Sequence, residues 1–158
     1  MAEFTSNPVQ VVQPNQPVIL NDSIKCNKGY VVHRNESGIV TLRGIVNNSC
    51  ACFARYQVTF NGNIAIPSTG TAPAGISIAL ALDGEPILTS KAIVTPAAVA
   101  EATPSDENYF NVTSTAIITV PKGCCFNISV ENTSELAASG IAPAINVKNA
   151  NLTVSRIA

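Results

Sequence analysis

Phe53-Ala54-Arg55-Tyr56-Gln57-Val58-Thr59-Phe60 alternates apolar and polar positions along most of its length. A strand turns successive side chains to opposite faces, so Ala54, Tyr56, Val58 and Phe60 share one side and Arg55, Gln57 and Thr59 the other. A slip of one residue would carry the apolar set into water, so burial specifies the register. Gly75-Ile76-Ser77-Ile78-Ala79-Leu80-Ala81-Leu82 repeats the period, with four large aliphatics on one face and only Ser77, Ala79 and Ala81 on the other. That second face is small enough to pack closely against another layer. Asp83-Gly84 follows at once, and Gly supplies the positive φ that a tight hairpin turn requires.

Working outward, similar segments are expected at residues 17–20, 30–34, 38–46, 110–120, 124–131, 144–147 and 151–157, punctuated by Gly, Pro, Asn and Asp. With the first two they make nine short strands at intervals of about ten to fifteen residues, the pattern of an all-β, two-sheet antiparallel sandwich. No repeat of fixed period points to a solenoid or propeller. Residues 68–75 and 101–108 are expected to be loops, with one short helical turn over 97–102. Ahead of the strands, residues 4–17 are polar and carry Pro8, Pro14 and Pro17. Proline neither continues a helix nor donates to a central ladder, so residues 1–16 are expected to form an extended arm and residues 17–158 the folded domain.

The length of 158 residues suits one domain. Charged residues are 12% of the chain, against about 25% in an ordinary soluble domain. Mean hydropathy is positive and apolar residues reach 46%. The polar complement is mostly Asn, Ser and Thr, so the surface is expected to be neutral-polar or partly covered by a partner. Lys and Arg are scattered singly, no basic stripe exists to neutralise phosphates, and nucleic-acid binding is not expected. The N-terminus has neither a basic nor an apolar leader region, so cytoplasmic synthesis is expected, and no apolar run reaches the roughly 20 residues that span a bilayer.

Candidates for chemistry are few. His33 is the single histidine, and none of the usual nucleophile motifs accompanies it. The carboxylates fall in predicted turns and strand ends, as solvated residues do. Cys26, Cys50, Cys52, Cys124 and Cys125 are odd in number, which excludes a fully paired framework. Buried free thiols are the expectation in a reducing cytosol. Cys50 and Cys52 with Cys26 and His33 are a zinc alternative, but Cys-x-Cys lacks the usual spacing. Cys124 and Cys125, read as adjacent strand residues, are expected to point to opposite faces. The reading is therefore no catalytic residue, no cofactor and no metal.

Several stretches in order resemble the compact C1q/TNF-like jelly rolls of phages and prophages of gut Firmicutes. They are Ser37-Gly38-Ile39-Val40-Thr41-Leu42-Arg43-Gly44, Arg55 to Ile64, Leu80-Ala81-Leu82-Asp83-Gly84-Glu85-Pro86, Val94-Thr95-Pro96-Ala97-Ala98-Val99, Val120-Pro121-Lys122-Gly123-Cys124-Cys125 and Asn149-Ala150-Asn151-Leu152-Thr153-Val154. The resemblance implies a jelly roll assembled as a homotrimer, with Tyr56, Val58 and Phe60, and Phe126, Ile128 and Val130, as core or trimer contacts. It further implies a virion protein, a decoration, head-fibre or surface knob. Docked to other virion proteins by its arm through Phe4, Val11 and Val12, it would sit on the virion surface after synthesis in a bacterial host. The alternative is a carbohydrate-binding adhesin that contacts a host surface glycan. The polar loop 102–108 is placed at an exposed apex.

Overall fold

The alternation that opens at Phe53 runs on, in the computed structural model, through thirteen residues to Ala65. The structure describes residues 1–23, 29–47, 50–67, 75–96, 108–136 and 140–158. Cys26, the expected turn over 97–102 and most of the loops 68–75 and 101–108 lie outside them. In chain order the strands are β1 (Ala2–Ser6), β2 (Gln10–Val12), β3 (Asp22–Ser23), β4 (Val31–His33), β5 (Val40–Arg43), β6 (Phe53–Ala65), β7 (Ile76–Leu82), β8 (Glu85–Pro86), β9 (Ala92–Val94), β10 (Phe110–Pro121), β11 (Cys125–Asn132) and β12 (Ile145–Arg156).

They form two sheets. One has the order β10-β6-β12-β1-β3, with β2 also on β12; the other has the order β4-β5-β11-β7-β8, with β9 also on β7. Every pairing is antiparallel, and one set of the pairs is nested along the chain. β1 and β2 pair with the last strand, β5 with β11, β6 with β10, and β7 with β8 and β9. A long hairpin rolled up in this way is a jelly roll.

The core lies between the sheets. Tyr56, Val58, Phe60 and Ile64 from β6 and Leu152 from β12 meet Leu42, Ile78, Leu80, Ile128 and Val130 from the other sheet, all 1% exposed or less. Gly62 keeps the alternation of β6 intact where a larger residue would not fit: a Cβ there would lie 2.7 Å from the tip of the Phe60 ring. Asn61 and Asn63, which read as turn residues, point outward and pair with β10 and β12, so β6 passes beyond the end expected at residue 60. The segments expected at 144–147 and 151–157 are one strand, bent by a bulge between Lys148 and Asn151, with Asn149 at φ 51°. Asn tolerates that left-handed conformation better than most residues.

The N-terminus departs most from expectation. Residues 2–6 and 10–12 do not form an arm outside the domain: they are strands on β12, and Phe4 (0%) and Val12 (2%) belong to the core. The boundary at residue 16 therefore does not separate two structural units. Pro8 has no N–H to give, so it sits in the gap between β1 and β2, opposite the bulge of β12, where the ladder is already interrupted. Past Pro14 the chain crosses to the other sheet, where the Val18 N–H donates to Val130 O at 2.7 Å. The segment 17–20, expected as a strand, makes only isolated bridges there.

Tyr56 joins β6 to the end of β5. Its phenol is fully buried and donates to Arg43 O at 2.5 Å. Burial raises its pKa above the ordinary 10.0, while the Arg156 guanidinium pulls it down and Tyr30 adds to the rise. The fold thus favours the neutral phenol, whereas the unfolded chain ionises from about pH 10. Stability from this group is complete below that pH and is lost as the pH rises through the higher folded value. Tyr56→Phe should cost about 1 kcal/mol at neutral pH. It should also flatten the alkaline fall in the urea midpoint between neutral pH and about pH 11; an unchanged fall would assign the alkaline sensitivity elsewhere.

Candidate functional site

Alternation leaves the outward residues of β10, β6 and β12 as one face. The register sets Thr115 beside Thr59 and Thr153, Thr113 beside Asn61 and Asn151, and Ile117 beside Gln57 and Ser155. No charged side chain stands in these three rows. Arg55, Lys148 and Arg156 lie around their margin, Glu3 continues the Thr153 row beyond them on β1, and Ile117, on the edge strand β10, is 65% exposed.

The polar groups of this face largely serve one another. Asn61 Nδ2 donates to Thr113 Oγ1 at 2.9 Å and to Asn111 Oδ1 at 3.2 Å, and Asn111 Nδ2 donates to Asn63 Oδ1 at 3.1 Å. Thr115 Oγ1 donates to Thr59 Oγ1 at 3.2 Å, and Asn151 Nδ2 to Glu3 Oε1 at 2.6 Å. An amide or hydroxyl already bonded within the sheet loses less on leaving water than an unbonded one, because the desolvation penalty falls on unmade bonds. The face is therefore polar and yet inexpensive to cover. At the margin, the Lys148 ammonium lies 4.1 Å from the Tyr109 ring centroid and the Arg55 guanidinium 5.0 Å from that of Phe53.

The residues singled out from sequence lie elsewhere. Tyr56, Val58, Phe60, Ile128 and Val130 point inward, and Phe126 is half-buried against the same core, so the six serve the contact between sheets and not a face offered to a partner. Phe4 and Val12 are likewise taken up inside. Of the three candidate docking residues only Val11, at 58%, is exposed. The outward set was legible in the same alternation, as its polar phase.

His33 Nε2 lies 2.9 Å from Ser37 O, a pure acceptor, which places the ring proton on Nε2. The ring rests 4.8 Å from Phe4, and Nδ1 is buried with no partner, so no hydroxyl or thiol among the described residues reaches it. Cys50, Cys52, Cys124 and Cys125 are free and exposed, not buried. The expectation of opposite faces for Cys124 and Cys125 fails because Cys124 belongs to the turn, and β11 begins only at Cys125. Among the described residues no three His, Cys, Asp or Glu side chains gather to hold a metal ion, and no helix is long and apolar enough to cross a membrane.

No protein-family model matches this chain, and no curated protein does. Among solved structures it is similar to the globular domain of zebrafish complement 1qA protein, at 16% identity and a TM-score of 0.49 over 96% of this chain and 94% of that one. It is also similar to the C-terminal domain of EclA, a sugar-binding protein, at 15% identity and a TM-score of 0.36 over 83% and 86% of the two chains. A third likeness is to the xylan-binding CBM22-1 domain of Paenibacillus barcinonensis Xyn10C, at 11% identity and a TM-score of 0.35 over 99% and 87%.

Proposed function

We propose that this chain is a non-enzymatic module that self-associates through the outer face of β10, β6 and β12, and that its assembly is a homotrimeric decoration, head-fibre or surface knob of a phage particle. The observation that carries the self-association is the uncharged, internally hydrogen-bonded face of these three strands, centred on Thr59 and edged by Thr115 and Ile117 of β10. Interface centres are depleted of charge in the same way. The trimeric state and the virion setting, reached after cytoplasmic synthesis in a bacterial host, rest on the resemblance to phage C1q/TNF-like proteins. Docking to other virion proteins through Phe4 and Val12 is withdrawn, since both side chains fill the core.

Light scattering should give a mass near three times 16.4 kDa. Thr115→Lys with Ile117→Lys should reduce it to a single chain while leaving the circular dichroism unchanged, since surface substitutions usually shift stability by within about 0.5 kcal/mol. A wild-type monomer, or a trimer indifferent to both lysines, would overturn the assignment. A monomer would turn attention to the adhesin reading, for which the Asn and Thr side chains of the same face offer hydrogen bonds to a host glycan, although no aromatic platform stands among them. A glycan array then decides it.

A further inference from the structure

The outer face of the second sheet behaves differently. Asn127, Ser129 and Glu131 alternate along β11 with inward Ile128 and Val130, and outward residues of a sandwich ordinarily meet water. Ser129 and Glu131 do not: they are only 6% and 7% exposed. They lie on a groove of about 380 Å³ with Pro17 and Ile39 among its walls and Asp83 of the β7–β8 turn in its lining.

Among the described residues its charges are of one sign. The Glu131 carboxylate accepts the Ser129 hydroxyl at 2.7 Å and forms no ion pair with a basic side chain among the described residues. Asp83 Oδ1 accepts the Asn127 N–H at 2.9 Å, which places the second carboxylate beside Asn127. Asn127 and Glu131 are four residues apart on one strand, a span of roughly 13 Å. A carboxylate withdrawn from water with no cation beside it is costly, and a cationic ligand offsets that cost. Among the described residues no aromatic side chain lines the groove to stack on a sugar ring, whereas Pro17 and Ile39 suit a methylene chain.

We infer that this groove binds a linear aliphatic di- or polyamine, one ammonium held by Glu131 with Ser129 and the other directed to Asp83. The site faces away from the proposed self-association surface, so it stands or falls independently of the oligomeric state.

The test is calorimetric titration of the full chain with spermidine, 1,5-diaminopentane and butylamine at low salt, with amide shifts followed at Ser129 and Glu131. The two multivalent amines should bind on the order of tenfold more tightly than butylamine, since each added charge pair in a half-buried site contributes about that factor. Glu131→Gln keeps an acceptor for Ser129, and Asp83→Asn suits the left-handed turn position, where φ is 50°. Each should weaken spermidine binding on the order of tenfold with the melting temperature maintained. Absence of saturable binding at millimolar spermidine would overturn the inference. So would equal affinity for butylamine, affinity unchanged in both variants, or a lysyl peptide binding as well as the diamines.

Discussion

Deletion of residues 1–16 is expected to unfold the sandwich, not to trim an accessory arm from it. The deletion removes both strands that pair with the outer edge of β12 and takes Phe4 and Val12 out of the core. Burial of those two side chains is worth about 3–6 kcal/mol. The loss falls on a domain whose whole stability is about 5–15 kcal/mol. β12 would also be left as a long unpaired edge beside β6, a template for aggregation. The shortened chain should therefore be insoluble, or lose its cooperative urea transition. A soluble chain of residues 17–158 with a sharp transition would restore the arm as a separate unit.

Asn132→Ala should be the most damaging single substitution of a polar residue. Asn132 is completely buried at the end of β11. Its Nδ2 donates to Val12 O and to Pro143 O, each at 2.9 Å, and its Oδ1 accepts the Ser134 N–H at 3.0 Å and the Ser134 hydroxyl at 2.6 Å. One side chain thus ties β2 of the first sheet to β11 of the second and to the connection that leads into β12. Removing it strands four polar groups, of which the backbone ones cannot readily turn to water. Each group left unsatisfied in a buried site costs about 1–3 kcal/mol, and with partial relaxation a total of about 3–5 kcal/mol is expected. Ser134→Ala, which removes only a hydroxyl, should cost about 1 kcal/mol. Chemical denaturation of the two variants checks the ranking. A loss for Asn132→Ala no greater than that for Ser134→Ala would mean that the network is not what joins the sheets here.

Both predictions concern places where the sequence misleads for a physical reason. Pro8 and Pro14 are strong signals against a central strand, yet Pro8 costs no ladder bond because β12 bulges opposite it at Asn149, and Pro14 lies beyond the end of β2. Asn132 reads as one of many asparagines in an Asn-rich chain; its role depends on Val12 O and Pro143 O arriving from distant parts of the sequence. The same holds for the groove: Asn127, Ser129 and Glu131 alternate as a solvent face should, and only the neighbourhood of Pro17 and Ile39 makes it a lined recess.

What the amino-acid sequence determined by itself is the local phase: which residues of β6, β7, β10 and β11 share a face, and that a charge-poor, β-branched chain folds as two antiparallel sheets. A period of two depends only on backbone geometry and nearest neighbours, so it is legible without the fold. Which apolar face meets the opposite sheet, that Tyr56, Val58 and Phe60 are spent on the core, and that the first strand closes on the last were decided by the tertiary structure. Pairing between chain ends more than a hundred residues apart leaves no local trace, because its bonds come from backbone groups that every residue carries.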